Sequence, residues 1–212
     1  LKEKKIDKFI PESYYVIKAE LSHKNYEFNA YHISNPFKKN QIPKAKEIYA
    51  LIKKEKIAFV TNKFEKTEKR HPPKPLNTSK ALILLTRILK ISATSALNTM
   101  NQLYLNKIIT YPRTESDKYK TDFNHKDVLT EFTKHSEYSN YARQLFSRGK
   151  LIPSQGKTDA GDHPPITPLI SLELNNTKFK NDLQRKVYNI LSRHYLALFG
   201  DPAFEKSTNL KL

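Results

Sequence analysis

The sequence has no cysteine and no tryptophan, one methionine and only four glycines in 212 residues. Without cysteine there is no disulfide, no thiolate zinc site and no cysteine nucleophile. So few glycines leave no Gly-rich phosphate loop. No apolar run approaches the roughly 20 residues of a membrane-spanning helix, and no signal-peptide pattern opens the chain. Acidic residues are the scarcer sign of charge, 21 against 38 Lys and Arg, for a net charge of +17. That excess points to a polyanionic partner, nucleic acid before a membrane surface. Asp159 and Asp162 have no third carboxylate at metal-ligand spacing, so they read as loop residues and no metal site is expected. The length allows one or two domains with a real core.

What is present divides into a β-rich start and a helical middle. Residues 1–36 read as β structure, with Tyr14–Leu21 and Tyr26–Ile33 forming a hairpin across Ser22–Asn25 that has one face to pack. A helix over 43–56 follows, with Pro43 near its start and Ala45, Ile48, Tyr49 and Ile52 as its stripe. Ile57–Val60 opens a strand running into the polar stretch 61–70. There Lys63, Lys66, Lys69 and Arg70 suit either a phosphate backbone or a soluble edge strand. His71-Pro72-Pro73-Lys74-Pro75 is a stiff linker and a domain boundary. Thr78 or Ser79 caps a helix to about Lys90. Ser92 or Ser95 caps another to about Leu105, with Ala96, Leu97, Met100, Leu103 and Tyr104 inward. Helices are also expected over 127–134, over 138–148 ending at Gly149, and over 181–199. The last has Leu183, Val187, Ile190, Leu191, His194, Tyr195 and Leu198 on one face. Ser154–Asp162 reads as a loop. Gly200-Asp201-Pro202 stops the last helix, and Phe204–Leu212 reads as a strand.

The chemistry centres on Lys107-Ile108-Ile109-Thr110-Tyr111-Pro112-Arg113-Thr114-Glu115-Ser116. The β-branched run 108–110 predicts a short strand. Pro112 breaks it and biases Tyr111 toward extended backbone. In extended backbone residues two apart share a face, which puts Arg113 on the side of Tyr111. A free phenol titrates near pH ~10, and a neighbouring cation favours its phenolate. The same cation can hold charge that builds on phosphate oxygens in a transition state. A tyrosine at a strand end beside Pro-Arg is, by residue type alone, more often an amphipathic edge residue.

The run Ile109-Thr110-Tyr111-Pro112-Arg113-Thr114-Glu115-Ser116 resembles the active-site signature of the type IA DNA topoisomerases. Two further stretches agree with that family. One is the Pro72-Pro73 approach through a helix pair to Tyr111; the other is His163-Pro164-Pro165-Ile166-Thr167-Pro168. A looser likeness to the lead-in of the family's arch domain covers Ile6–Tyr15. The resemblance implies an α+β fold, an antiparallel β arch domain with an inserted, mainly helical, winged-helix (CAP-like) catalytic domain. It assigns 1–74 plus 201–212 to the arch and 75–200 to the tyrosine domain. It implies that Tyr111 attacks single-stranded DNA and keeps the 5′ phosphate, that Arg113 supports the developing charge, and that His163 lies near the scissile phosphate. Some relatives carry arginine where this chain has Thr167, so one phosphate contact is in doubt. Lys80, Arg87, Lys90 and Lys107 are candidate DNA-backbone contacts.

The resemblance also implies Mg2+ for the whole enzyme, bound by a separate acidic domain that this stretch lacks. A lone piece of this kind is expected to bind single-stranded DNA weakly and cleave poorly, with Tyr111 hydrogen-bonded away from its working position. A monomer with no membrane partner, cytoplasmic and nucleoid-associated, is the further expectation. Pro112 and Glu115 favour the topoisomerase III or archaeal branch, with the topoisomerase half of reverse gyrase as a variant. The alternatives are a non-catalytic winged-helix nucleic-acid-binding module and a basic RNA-binding or ribosome-associated protein.

Overall fold

The computed structural model describes residues 10–149 and 151–212. The expectations for residues 1–9, including the start of the arch likeness at Ile6, lie outside them. The chain divides into two compact units, one up to Glu65 with Thr208–Leu212, the other Lys66–Ser207. The described residues hold small two-stranded pairings and six α-helices, one in the first unit and five in the second, a mixed α+β fold.

In the first unit β2 (Lys18–His23) pairs with β3 (Tyr26–Tyr31) in a two-residue hairpin, with His23 opposite Tyr26. Lys24 turns the corner at φ 54°. The expected strand from Tyr14 is cut short: Val16 and Ile17 lie outside any strand, and β1 (Tyr14–Tyr15) pairs instead with β4 (Phe37–Lys38). At the break the Asn35 side chain bonds both the N–H and the C=O of Ile17 (2.9 and 2.8 Å), and that C=O also accepts His32 N–H (3.1 Å) as the last cross-strand bond. The hairpin does not bury a face; its residues are exposed or half-exposed. Helix α1 (Ile42–Ile52) ends earlier than its pattern predicts and buries only Ala45. Residues 57–61 form no strand; β5 (Asn62–Arg70) pairs with β6 (Ala203–Lys211), and both are exposed along their whole length.

The second unit holds the well-packed cores. Asn77, not Thr78 or Ser79, caps α2 (Thr78–Leu89), its Oδ1 accepting Lys80 N–H at 3.0 Å. The preceding residue wins because Thr78 spends its hydroxyl on residues 112–114. Ser92 caps α3 (Ala93–Leu105). Helices α4 (His125–Phe132) and α5 (Ser139–Ser147) follow, then α6 (Asp182–Ala197), capped by Asn181. One core joins Ala81 and Leu85 of α2 to Met100 and Leu103 of α3, Ile108, Ile109 and the Val187–Leu191 stretch of α6. The other joins Leu129, Phe132, Ala142 and Leu145 to Tyr195 and Leu196. Thus α6 serves both cores from one face, its earlier turns packing in the first and its later turns in the second.

The predicted strand 108–110 is reduced to a single bridge, Ile109 to Pro168. All three residues are buried, so the β-branched run packs into the interior without extending into a strand. No β-hairpin follows α3 among residues 106–149 and 151–181, so no wing forms there. No single helix among the described residues is long and apolar enough to cross a membrane.

Leu85 is fully buried, whereas Ile83 two residues earlier is 65% exposed. Leu85→Ala is expected to cost about 2–5 kcal/mol and Ile83→Ala less than about 0.5 kcal/mol, as read by urea unfolding.

Candidate active site

Tyr111 is delivered by a tight exit from α3. Lys107 adopts a left-handed backbone, φ 57°, a conformation that costs a non-glycine residue about 1–2 kcal/mol. Its N–H donates to Tyr104 O (2.8 Å) and Ile108 N–H to Leu103 O (2.9 Å). The chain then meets the Pro-rich segment 165–169. Thr110 N–H donates to Thr167 O and Leu169 N–H to Ile108 O, both 2.9 Å. The Thr110 hydroxyl donates to Pro165 O (3.0 Å) and accepts from Thr167 N–H (2.9 Å). Thr167 is fully buried; its hydroxyl donates to Pro165 O and accepts the Tyr119 hydroxyl at 2.6 Å. It cannot reach a phosphate. Burial holds the Tyr119 phenol well above its ordinary value.

Beyond Tyr111 the exposure alternates. Pro112, Thr114 and Ser116 are buried; Arg113 and Glu115 are exposed, and Tyr111 is half-buried. The inward residues find partners. Thr78 of α2 accepts Thr114 N–H (2.8 Å) and bonds the carbonyls of Pro112 and Thr114, while Thr78 N–H donates to Thr114 O (2.9 Å). The outward residues then share the solvent side, as extended geometry requires.

His163 comes from the loop 154–163. The Thr114 hydroxyl donates to its carbonyl (3.1 Å). Its ring lies against the Tyr111 ring, centroids 4.7 Å apart and planes tilted 59°. Tyr104, read from the sequence as inward, is 39% exposed and sets its ring edge-on to Tyr111 at 5.1 Å. Its place in the last turn of α3, one helical layer before the exit, was the available signal. Among the described residues no hydrogen bond or ion pair engages the Tyr111 hydroxyl, the Arg113 guanidinium or the His163 ring. The expected hydrogen bond that would park the phenol is not found among the described residues, where ring contacts with Tyr104 and His163 hold the tyrosine. Arg113 shares its exposed side but is not bonded to it.

The candidate backbone contacts separate. Arg87, Lys90 and Lys107 are exposed, with Lys90 at the left-handed end of α2. Lys80 is half-buried and its ammonium binds the Asp117 carboxylate. On β5, Lys63 pairs with Glu65 (2.7 Å), Lys66 with Glu68 (2.5 Å), and Arg70 with Glu205 of β6. That stripe is largely neutralised and fits a solubilised edge better than a phosphate track. Among the described residues no three His, Asp or Glu side chains gather to hold a metal ion.

Comparison with solved structures defines the class of fold first. Full-length topoisomerase I from Thermotoga maritima matches over 98% of this chain and 33% of its own, with a TM-score of 0.62 at 20% identity. The sequence then supplies the family. The DNA topoisomerase family profile matches residues 1–212. DNA topoisomerase 1 of Thermoplasma acidophilum is 32% identical over 92% of this chain and 24% of its own length. DNA topoisomerase 1 of Pyrococcus horikoshii is 28% identical over 100% and 30%, and human DNA topoisomerase 3-alpha 27% over 99% and 20%. The chain belongs to the DNA topoisomerase family, in its type IA branch, and spans about a third or less of the length of these relatives.

Burial pushes the Asp117 carboxyl up, but the Lys80 ammonium and the N–H groups of Thr158 and Lys157 outweigh it and hold it below the usual carboxylate range. A depressed folded value means that Asp117 stabilises the fold above the unfolded carboxyl's pKa of about 3.9. That stabilisation is lost as pH falls through the lower folded value. The stability gap between wild type and Asp117→Asn should thus be constant above about pH 5 and shrink in stronger acid, read by urea unfolding across that range.

Proposed function

We propose that this chain is the tyrosine-bearing portion of an enzyme that breaks and rejoins single-stranded DNA. The Tyr111 oxygen attacks a backbone phosphorus and gives up its proton. The bond from phosphorus to the 3′ oxygen breaks, and that oxygen leaves as a hydroxyl. The 5′ phosphate stays on Tyr111, so one phosphodiester replaces another and the reverse attack reseals the strand. Arg113 stabilises the charge on the phosphate oxygens. His163, against the phenol ring, orients or contacts the scissile phosphate. Arg87, Lys90 and Lys107 contact the flanking backbone, and Lys80 does so only when released from Asp117.

The observation that carries this reading is the free phenol beside His163, on the same exposed side as Arg113. The family membership and the +17 charge support DNA as substrate. The arch and tyrosine-domain roles of the two units, the topoisomerase III or archaeal assignment, and the need for Mg2+ held by acidic residues of the whole protein belong to the same proposal. This chain by itself then binds single-stranded DNA weakly and forms little adduct.

In the whole protein, a 3′-labelled single-stranded oligonucleotide should become covalently attached to the enzyme, while a 5′-labelled one is released with a free 3′ hydroxyl. Tyr111→Phe should abolish the attachment and leave affinity within about threefold, since only a hydroxyl is lost. A non-catalytic nucleic-acid-binding module would give no attachment in either form. Arg87→Ala and Lys107→Ala should each lower the slope of log affinity against log salt by about 0.7, the value for one single-strand phosphate contact.

A further inference from the structure

The loop that carries His163 contains no helix or strand between residues 151 and 163, yet it is laced to the segment after Tyr111. Ser116 Oγ accepts Ala160 N–H (3.0 Å). Asp117 N–H donates to Thr158 O (2.9 Å), and Gly156 N–H donates to Asp117 O (2.8 Å). Asp117 Oδ1 accepts the N–H groups of both Lys157 and Thr158 at 2.8 Å, and its other oxygen takes the Lys80 ammonium. Gly156 passes so close that a Cβ there would run into the Asp117 carboxylate. The Asp117 side chain is 11% exposed. By contrast, Asp159 and Asp162 turn their carboxylates onto their own loop, at Gly161 N–H (3.0 Å) and His163 N–H (2.6 Å).

We infer that Lys80 and Asp117 form a clasp that positions the candidate active site: together they hold loop 156–163 so that His163 stays against Tyr111. The inference rests on the proposed role of Tyr111 and adds two positioning residues to it. The physical reason is ordering. A loop of this length has many conformations, and confining each residue costs free energy of order 1–2 kcal/mol. The segment 114–117 offsets that cost by giving the loop partners along its length. Lys80 ties the clasp to the first turn of α2, whose Thr78 already holds the segment that follows Tyr111. Tyrosine, histidine and helix therefore move as one unit.

The test uses the Tyr111–His163 ring contact, read as a nuclear Overhauser effect in the 212-residue chain, alongside adduct formation at saturating single-stranded DNA in the whole protein. Asp117→Ala should abolish the ring contact and slow adduct formation at saturating DNA about tenfold or more. Asp117→Asn keeps the acceptor for both loop N–H groups but loses the charge facing Lys80; it should weaken the contact partly. Lys80→Met should do the same, and the double variant should be no worse than either single one, because both remove one pair. The ring contact is read without DNA, so its loss in Lys80→Met reports holding the loop and not touching a phosphate. A ring contact that persists in every folded variant overturns the clasp, even where melting temperatures fall. If Asp117→Ala does not fold, Asp117→Asn and Lys80→Met decide by the same contact. If the whole wild-type protein forms no adduct while the ring contact follows this order, the catalytic reading fails and the clasp stands.

Discussion

The buried junction of Thr110 with Pro165 and Thr167 is the contact on which the candidate site depends. Two segments more than fifty residues apart meet there through main-chain bonds at Ile108 and Thr110 and through two threonine hydroxyls. Neither segment is a strand, so the ladder that usually satisfies buried backbone groups is missing. The hydroxyls supply the acceptors and donors instead, and Tyr119 closes the network. Buried polar networks of this kind are costly when incomplete and orienting when complete. Immediately beyond the junction the chain emerges with Tyr111 from one side and His163 from the other.

Charge is distributed with the same economy. The excess of lysine and arginine is large, but several cations that look available in the sequence are engaged in the fold. Lys80 is committed to Asp117, and the cations of β5 alternate with glutamates that neutralise them. Near the tyrosine, Arg113 keeps its guanidinium free on the solvent side. Among the described residues the Arg113 guanidinium, the His163 ring and the Tyr111 hydroxyl have no hydrogen-bond or ion-pair partner, whereas Lys80 and the paired cations of β5 are engaged in the fold.

Much of this was legible in the order of residues. Helices α2, α3 and α6 follow from apolar spacing and polar caps, because a helix needs only local bonds and one apolar face. The shared side of half-buried Tyr111 and exposed Arg113 follows from extended geometry on either side of Pro112. The first unit was less legible. Its alternating pattern predicted a packed hairpin face, whereas the strands are open to solvent, and Asn35 bonds the Ile17 backbone from eighteen residues away. Helix α2 begins on Asn77 because Thr78 is drawn into a long-range contact that no local rule anticipates.

The amino-acid order by itself determined the helical segments, the basic character and the family signature around Tyr111 and His163, since each depends on neighbours within a few residues. Only the tertiary structure decided that residues 108–110 make one bridge in place of a strand, that Tyr104 edges onto the phenol, and that Asp117 clasps the histidine loop. The physical reason is range: hydrogen bonds and ring contacts between residues far apart in sequence leave no periodic trace, and they appear only when packing brings their partners together.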